Sequence, residues 1–267
     1  MMDIEIAAST NVGRIRGHNE DACGHWSPDT RALKRSHGWV LALADGVGGH
    51  DYGEVASGLA IETLTKEFPA LAAETPPQAA LLELIRAANS RIIARAEELK
   101  GEGLSMATTI VACILRYDQA HIAHVGDSRA YRVRPAKPFA QILQITSDHT
   151  LVNESPTLAR PQGDSAKHVL TRSLGRDLFV APDFTSIPVE PGDLILLASD
   201  GLHGALSDRR IAALATEAAP LADLAIKLTD EATAADGGDN ATVLLARVKK
   251  IEAVGLYRGR TYRMPTH

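Results

Sequence analysis

The sequence predicts an α+β fold built mostly from antiparallel strands. Two observations carry that prediction. Strand-like apolar runs outnumber helical stretches, and the helical stretches fall in pairs between groups of strands instead of alternating with them singly, which argues against a doubly wound parallel sheet. A length of 267 residues with 45% hydrophobic content allows one substantial domain or two small ones. No internal repeat or low-complexity block interrupts the chain.

Taken in order, residues 3–9 alternate polar and apolar as an opening strand does. The stretch from Thr10 to Asp21 holds too many glycines and charges for a core element. It reads as a loop into a strand, and its Arg16, Glu20 and Asp21 would ordinarily be solvated. Residues 27–37 read as an exposed hairpin connection. Trp39 to Ala44 is an unbroken apolar run, hence a buried strand, and residues 54–72 have helical spacing. Thr75-Pro76-Pro77-Gln78 offers a Thr cap, prolines in the first turn and a Gln at the capping-box position, opening a helix that stops before Gly101. Residues 106–115, 120–126 and 129–134 read as a meander with turns at 116–119 and 126–128. Residues 150–168, with Pro156, Pro161 and Gly163, are the least regular part of the middle, a kind of insertion that is often mobile and functional. Two further helices are predicted at 207–217, capped by Ser207, and at 220–234, followed by a last strand at 241–248. The remainder, 249–267, carries Lys249, Lys250, Arg258, Arg260 and Arg263 and reads as a solvated basic tail.

Composition excludes several classes. A net charge of −5 gives no general reason to expect nucleic acid or an anionic membrane, and 4% aromatic content leaves few stacking platforms. The two cysteines, Cys23 and Cys113, form no C-x-x-C pair and argue for a reducing compartment. No apolar run approaches the ~20 residues that span a bilayer. The N-terminus lacks a basic start and an apolar signal core, so a cytoplasmic location is expected. There is no phosphate-binding G-x-x-x-x-G-K-[ST] loop, no G-x-S-x-G elbow and no Cys-x5-Arg cradle. His121 and His124 share a strand but face opposite sides of it, which makes them a poor metal pair.

What remains is a pattern of carboxylates. Leu41-Ala42-Leu43-Ala44 runs into Asp45-Gly46-Val47-Gly48-Gly49. Alone, this is an ordinary hairpin signal. The form recurs in Leu194–Ser199 followed by Asp200-Gly201, in Val125-Gly126-Asp127, and in Asp239-Asn240 entering Ala241–Ala246. Four aspartates at strand ends could gather at one end of a sheet. Carboxylate oxygens suit hard cations such as Mg²⁺ and Mn²⁺, and without a cation such a cluster repels itself. With an arginine to hold an anionic substrate, it is a plan for metal-dependent hydrolysis of a phosphate ester.

Eight short motifs occur in a fixed order: Arg16-x-x-Asn19-Glu20-Asp21, Ala44-Asp45-Gly46-Val47-Gly48-Gly49, Thr108-Thr109, Val125-Gly126-Asp127-Ser128-Arg129, Ser147-Asp148-His149, Leu170-Thr171-Arg172-Ser173-Leu174-Gly175, Ser199-Asp200-Gly201 and Asp239-Asn240-Ala241-Thr242. In this the chain, from about residue 8 to 247, resembles the metal-dependent (type 2C) serine/threonine protein phosphatases in their compact bacterial form. The resemblance implies two packed antiparallel sheets flanked by pairs of helices, with a catalytic domain over 1–248, a short flap-like insertion at 151–168 and the basic tail at 249–267. It implies two tightly bound Mn²⁺ or Mg²⁺ ions and a weaker third. Asp45 would bridge the pair and the Gly46 carbonyl would bind one of them, Asp200 and Asp239 would bind the second, and Glu20 and Asp21 would hold metal-bound waters. Asp127, with Asp200, would hold the third ion, and Arg16 would grip the substrate phosphate. A metal-bridging water or hydroxide would attack phosphorus directly. The partners implied are a phosphorylated protein and a cognate serine/threonine kinase, with the enzyme a monomer and with neither nucleic acid nor membrane insertion.

The chain departs from the family pattern at Asn11, usually Asp, and Ala107, usually Gly; both positions look structural. Residues 151–168 lack the Gly- and Glu-rich flap pattern. Eukaryotic members carry a histidine general acid directly after Asp-Gly, where this chain has Val47, and His50 lies three residues on. Two other functions compete. A catalytically inactive pseudophosphatase would have lost metal aspartates, and all four are present. A phosphatase for small phosphate esters shares the metal motifs, which do not describe the outer groove.

Overall fold

The structure, a computed structural model, describes residues 1–47, 52–99, 106–137, 139–154, 169–217 and 219–252, together with the backbone of 254–257 and 260–263. The first half runs β1 (Met2–Asn11), β2 (Asp21–Trp26), α1 (Arg31–Ser36), β3 (Trp39–Asp45), α2 (Gly53–Glu67), α3 (Pro77–Leu99), β4 (Ile110–Arg116) and β5 (Gln119–Val125). The second half runs β6 (Arg129–Arg134), β7 (Gln141–Gln144), α4 (Leu151–Glu154), β8 (Asp183–Pro188), β9 (Leu194–Ala198), α5 (Asp200–His203), α6 (Asp208–Ala215), α7 (Leu221–Ala235), β10 (Ala241–Ile251), β11 (Val254–Tyr257) and β12 (Arg260–Arg263). The strands form two five-stranded sheets, ordered β2-β3-β4-β5-β8 and β1-β10-β9-β6-β7, with every pairing antiparallel.

Strand alternation builds the layers. In β3, Val40, Ala42 and Ala44 pack with Ala56, Ala60 and Leu64 of α2 and Leu84 of α3. The intervening Leu41 and Leu43 pack with Ile195, Leu197 and Leu244 of the other sheet. In β9 and β10, Leu196, Ala198, Val243 and Leu245 face the opposite way, onto Ile211 of α6 and Leu224 and Leu228 of α7. Both faces of each central strand are thus covered, and this is why these strands read as continuous apolar runs rather than as alternating ones. Burying one such Leu contributes about 1.5–3 kcal/mol. The expected sandwich of two antiparallel sheets flanked by helix pairs is therefore the observed one.

The structure corrects several elements. Residues 31–36 form a helical turn and a half where a hairpin connection is predicted; the Thr30 hydroxyl accepts from Leu33 N–H and caps it. The Thr75 hydroxyl donates to the Ala72 carbonyl, and the helix begins at Pro77. The predicted meander is broken. β4 and β5 pair, but β6 leaves them and pairs with β9 and β7, so the chain changes sheets across Gly126-Asp127-Ser128. Strand periodicity cannot tell a turn within a sheet from a crossing between sheets. The last long strand passes the boundary expected at 248 and continues to Ile251, with Lys249 Nζ 3.0 Å from Glu5 of β1, and the backbones of β11 and β12 pair beyond it. Lysines on an exposed strand end resemble a solvated tail in composition. Residues 155–168, most of the flap-like insertion, and His50 lie outside the described residues.

Candidate metal centre

Asp45 closes β3, Asp200 follows β9, Asp239 precedes β10, and Asp127 sits in the crossing from β5 to β6. All four line one cavity of ≈ 280 Å³, together with Arg16, Gly46, Val47, Thr109 and Leu170. A larger cavity of ≈ 640 Å³ adjoins it, sharing Asp127 and Asp200 and bordered by Arg129, Asp148 and Asn153. Six of the eight residues expected at the site thus face one space. Glu20 and Asp21 do not line it among the described residues.

Local chemistry fixes each carboxylate. The Asp45 backbone is held on both sides. Its N–H donates to Thr109 Oγ1 at 3.0 Å, and its carbonyl accepts from Thr109 N–H and Thr108 Oγ1, both at 2.8 Å. Gly46 N–H donates to the Glu20 carbonyl at 3.1 Å, tying the Asp-Gly turn to the start of β2. Asp200 and Asp239 are brought together by Gly201: a Cβ there would lie 2.2 Å from the Asn240 carbonyl oxygen. Only glycine lets the two turns touch. Asn240 then gathers the N-terminal loop. Its Oδ1 accepts from Glu20 N–H at 2.8 Å, and its Nδ2 donates to the carbonyls of Val12 and His18. Asp239 Oδ1 accepts from Asn240 N–H, and its Oδ2 accepts from Arg16 at 2.8 Å.

Asp21 faces Asp45 across the β2–β3 pairing. Its Oδ2 accepts from Ser199 Oγ at 2.8 Å, so it stitches one sheet to the other. Its Oδ1 is buried without a hydrogen-bond partner. Burial, with Asp200 and Asp239 nearby, pushes its pKa up to about 7. Asp127 is likewise raised to about 7, by burial first and then by Asp200 and Asp148. Asp45 is raised well above the ordinary carboxylate range by desolvation, by Asp21, Asp200 and Asp127, and by a hydrogen bond shared with Asp200. Asp148 is neutralised by a bidentate bridge to Arg129, with contacts at 2.9 and 2.7 Å.

An orphaned buried carboxylate oxygen beside three mutually repelling carboxylates fits a cation site, and an all-oxygen donor set fits Mn²⁺ or Mg²⁺. No three of the cavity's aspartates place oxygens within 4.8 Å of one another; among the described residues His18, Glu20 and Glu54 do so, at an exposed rim. Thr109, Ser199 and Asn240 hold the carboxylates without being aspartates themselves. Ser199 and Asn240 stand next to the aspartates they accompany, and Thr109 is marked in the sequence only by its place in the Thr108-Thr109 motif.

Fold and site together define a class: an α+β sandwich with an acidic, cation-suited cavity at one end. Comparison with known proteins narrows it. The profile of the family described as Protein phosphatase 2C matches residues 16–236. The protein phosphatase PhpP of Streptococcus pneumoniae is 32% identical over 259 residues, covering 94% of this chain and 100% of the relative. Among solved structures, the serine/threonine phosphatase Stp1 from Staphylococcus aureus superposes with a TM-score of 0.79 at 32% identity, over 94% of this chain and 96% of that one. The catalytic domain of the serine/threonine protein phosphatase PstP, solved in complex with two manganese ions, superposes with a TM-score of 0.74 at 33% identity, over 92% and 99%. The chain belongs to the protein phosphatase 2C family. It is an enzyme of the protein phosphatase class. Among the described residues, no helix is long and apolar enough to cross a membrane.

Proposed function

We propose that this protein hydrolyses phosphoserine and phosphothreonine in proteins with two Mn²⁺ or Mg²⁺ ions and a weaker third, opposing a serine/threonine kinase. The observation that carries the reading is the convergence of Asp45, Asp127, Asp200, Asp239 and Arg16 on one cavity. Asp45, the Gly46 carbonyl, Asp200 and Asp239 would hold the two ions, with Glu20 and Asp21 ordering the surrounding shell and Asp127 serving the third. Bound cations supply Lewis acidity to the phosphoryl oxygens and lower the pKa of water beside them.

The protein's own part is orientation and charge. Burial and neighbouring carboxylates disfavour the ionised forms of Asp45 and Asp21, so positive charge entering the cavity would favour their ionisation. Arg16 spends one guanidinium N–H on Asp239, and its remaining donors are available to a phosphate in the same cavity. Val47 lines the cavity where eukaryotic members carry histidine, and it cannot donate a proton to the leaving alkoxide. The reading is tested by incubating the protein with Mn²⁺ and a phosphothreonine peptide, with and without chelator. Phosphate release that chelator abolishes is expected. Release of phosphate from aryl phosphates alone would instead favour a small-ester phosphatase, and no release from either would favour a pseudophosphatase.

A further inference from the structure

We propose that His149 is a positioning residue for Asp127, holding the sheet-crossing loop through the bare Nδ1 of a fixed imidazole tautomer. The inference rests on the reading of Asp127 as a ligand of the weaker cation site. Gly126, the residue before Asp127, is held from two directions by this one histidine. Its N–H donates to His149 Nδ1 at 3.1 Å, and its carbonyl accepts from the His149 N–H at 3.0 Å.

A backbone N–H can donate only to an unprotonated ring nitrogen, so the ring proton sits on Nε2. There it faces Asp183 Oδ2 at 3.4 Å, and Asp183 is itself bonded by Arg172 at 2.8 Å. Burial, the neighbouring His124 and Arg172 hold the imidazole pKa below its ordinary value, consistent with a neutral ring. The ring cannot swing away. His149 is 2% exposed, it stacks on His124 with centroids 4.5 Å apart, and its carbonyl accepts from Thr171 N–H at 2.9 Å. The loop has no slack on its other side. Gly126 has φ +106°, and a Cβ there would lie 2.7 Å from the Thr109 side chain. Asp127 therefore leaves a loop wedged between Thr109 and His149, while its own carbonyl accepts from His203 Nε2 at 3.0 Å.

Shape filling and positioning predict opposite orders for two substitutions. Asn carries Oδ1 the same number of bonds from Cα as the imidazole Nδ1, so His149→Asn keeps an acceptor for Gly126. Gln is closer in volume to histidine and reaches toward Asp183, but His149→Gln leaves the Gly126 N–H without its partner.

The test has two arms. In the first, nitrogen chemical shifts of the metal-free protein report the tautomer, and an unprotonated Nδ1 with a protonated Nε2 is expected for His149. In the second, Mn²⁺ titration calorimetry compares wild type with Asp127→Ala, His149→Asn, His149→Gln and His149→Ala. Loss of an outer-shell partner typically costs 10–100-fold in metal affinity. The weak site should therefore weaken by about tenfold or more in His149→Gln and His149→Ala, and by less than about threefold in His149→Asn, with the tight pair unchanged. A protonated Nδ1 in wild type, equal effects across the three His149 variants, or better retention in His149→Gln than in His149→Asn would overturn the inference. Should the Gln and Ala variants fail to fold, the wild-type tautomer and His149→Asn decide it. Identical Mn²⁺ binding by wild type and Asp127→Ala would overturn the ligand reading of Asp127 itself, and the inference with it, whatever the tautomer.

Discussion

Asp45 and Asp239 border the same cavity and live under opposite conditions. Asp45 ends a strand whose other residues are buried, with Asp21, Asp200 and Asp127 as its charged neighbours. Asp239 has 36% of its side chain exposed and is paired with Arg16. The fold completes one of these groups internally and leaves the other dependent on positive charge from outside. Under the proposed function, the cation would do most on the Asp45 side and the substrate anion would enter on the Arg16 side.

The comparison can be broken first by substitution. Asp45→Asn is expected to lower kcat by about 10³-fold or more and Asp239→Asn by about 10²-fold, because under the proposed function one would remove a bridging charge and the other a terminal one. Retention of more than about a tenth of wild-type activity in either variant would sink the metal assignment. Melting of the metal-free proteins sharpens the point. Asp45→Asn should raise the Tm, since it removes a desolvated carboxylate, whereas Asp239→Asn should leave it nearly unchanged, an exposed ion pair being worth only about 0–1 kcal/mol.

The Arg16 side is probed by Arg16→Ala. Inhibition by inorganic phosphate should weaken by about tenfold, in parallel with substrate capture. An unchanged inhibition constant would return Arg16 to a purely structural partnership with Asp239. Asp127→Ala should cost less, about three- to tenfold in kcat, and leave two tightly bound ions in calorimetry. Loss of all bound metal would make Asp127 part of the principal site.

The last effect concerns pH. The folded pKa values of Asp21 and Asp127 are raised from about 3.8 in the unfolded chain to about 7. Stability from such groups is complete below pH ~4 and is lost as pH rises to about 7, because over that window the unfolded chain gives up protons that the folded state keeps. The metal-free protein should therefore melt lower at pH 7.5 than at pH 5, by about 10 °C, and saturating Mn²⁺ should abolish the difference. Equal melting temperatures at both pH values without metal would mean that the cavity is better hydrated than its geometry implies.

Much of this was legible in the residues. Apolar runs buried on both faces announced β3, β4, β9 and β10, and the aspartates at their ends announced the cavity. What was not legible depends on contacts distant in sequence. The Gly126–Ser128 crossing has the composition of a turn, and only the pairing of β6 with β9 distinguishes the two. Asn240 binds the carbonyl of Val12 and the N–H of Glu20, more than 200 positions away, and no local pattern encodes that reach. Thr30 and Leu33 did carry a local helix signal, an N-cap three residues before its donor, but six residues are too few to show helical periodicity.

With the ions bound as proposed, the crossing between the sheets would also make the cation a thermodynamic component of folding. Asp45 belongs to one sheet, Asp200 and Asp239 flank strands of the other, and Asp127 lies on the strand of chain that joins them. On the proposed assignment, the ligand set would be complete only while the two sheets are stacked, and neither sheet alone would retain the ions. Binding that is confined to the native state adds RT ln(1 + [L]/Kd), or about 1.4 kcal/mol per ion for each tenfold excess of free cation over Kd. Slow amide exchange should therefore deepen together in β3 and β10 as Mn²⁺ is raised, and the free divalent-cation level around the protein would set its lifetime as well as its turnover.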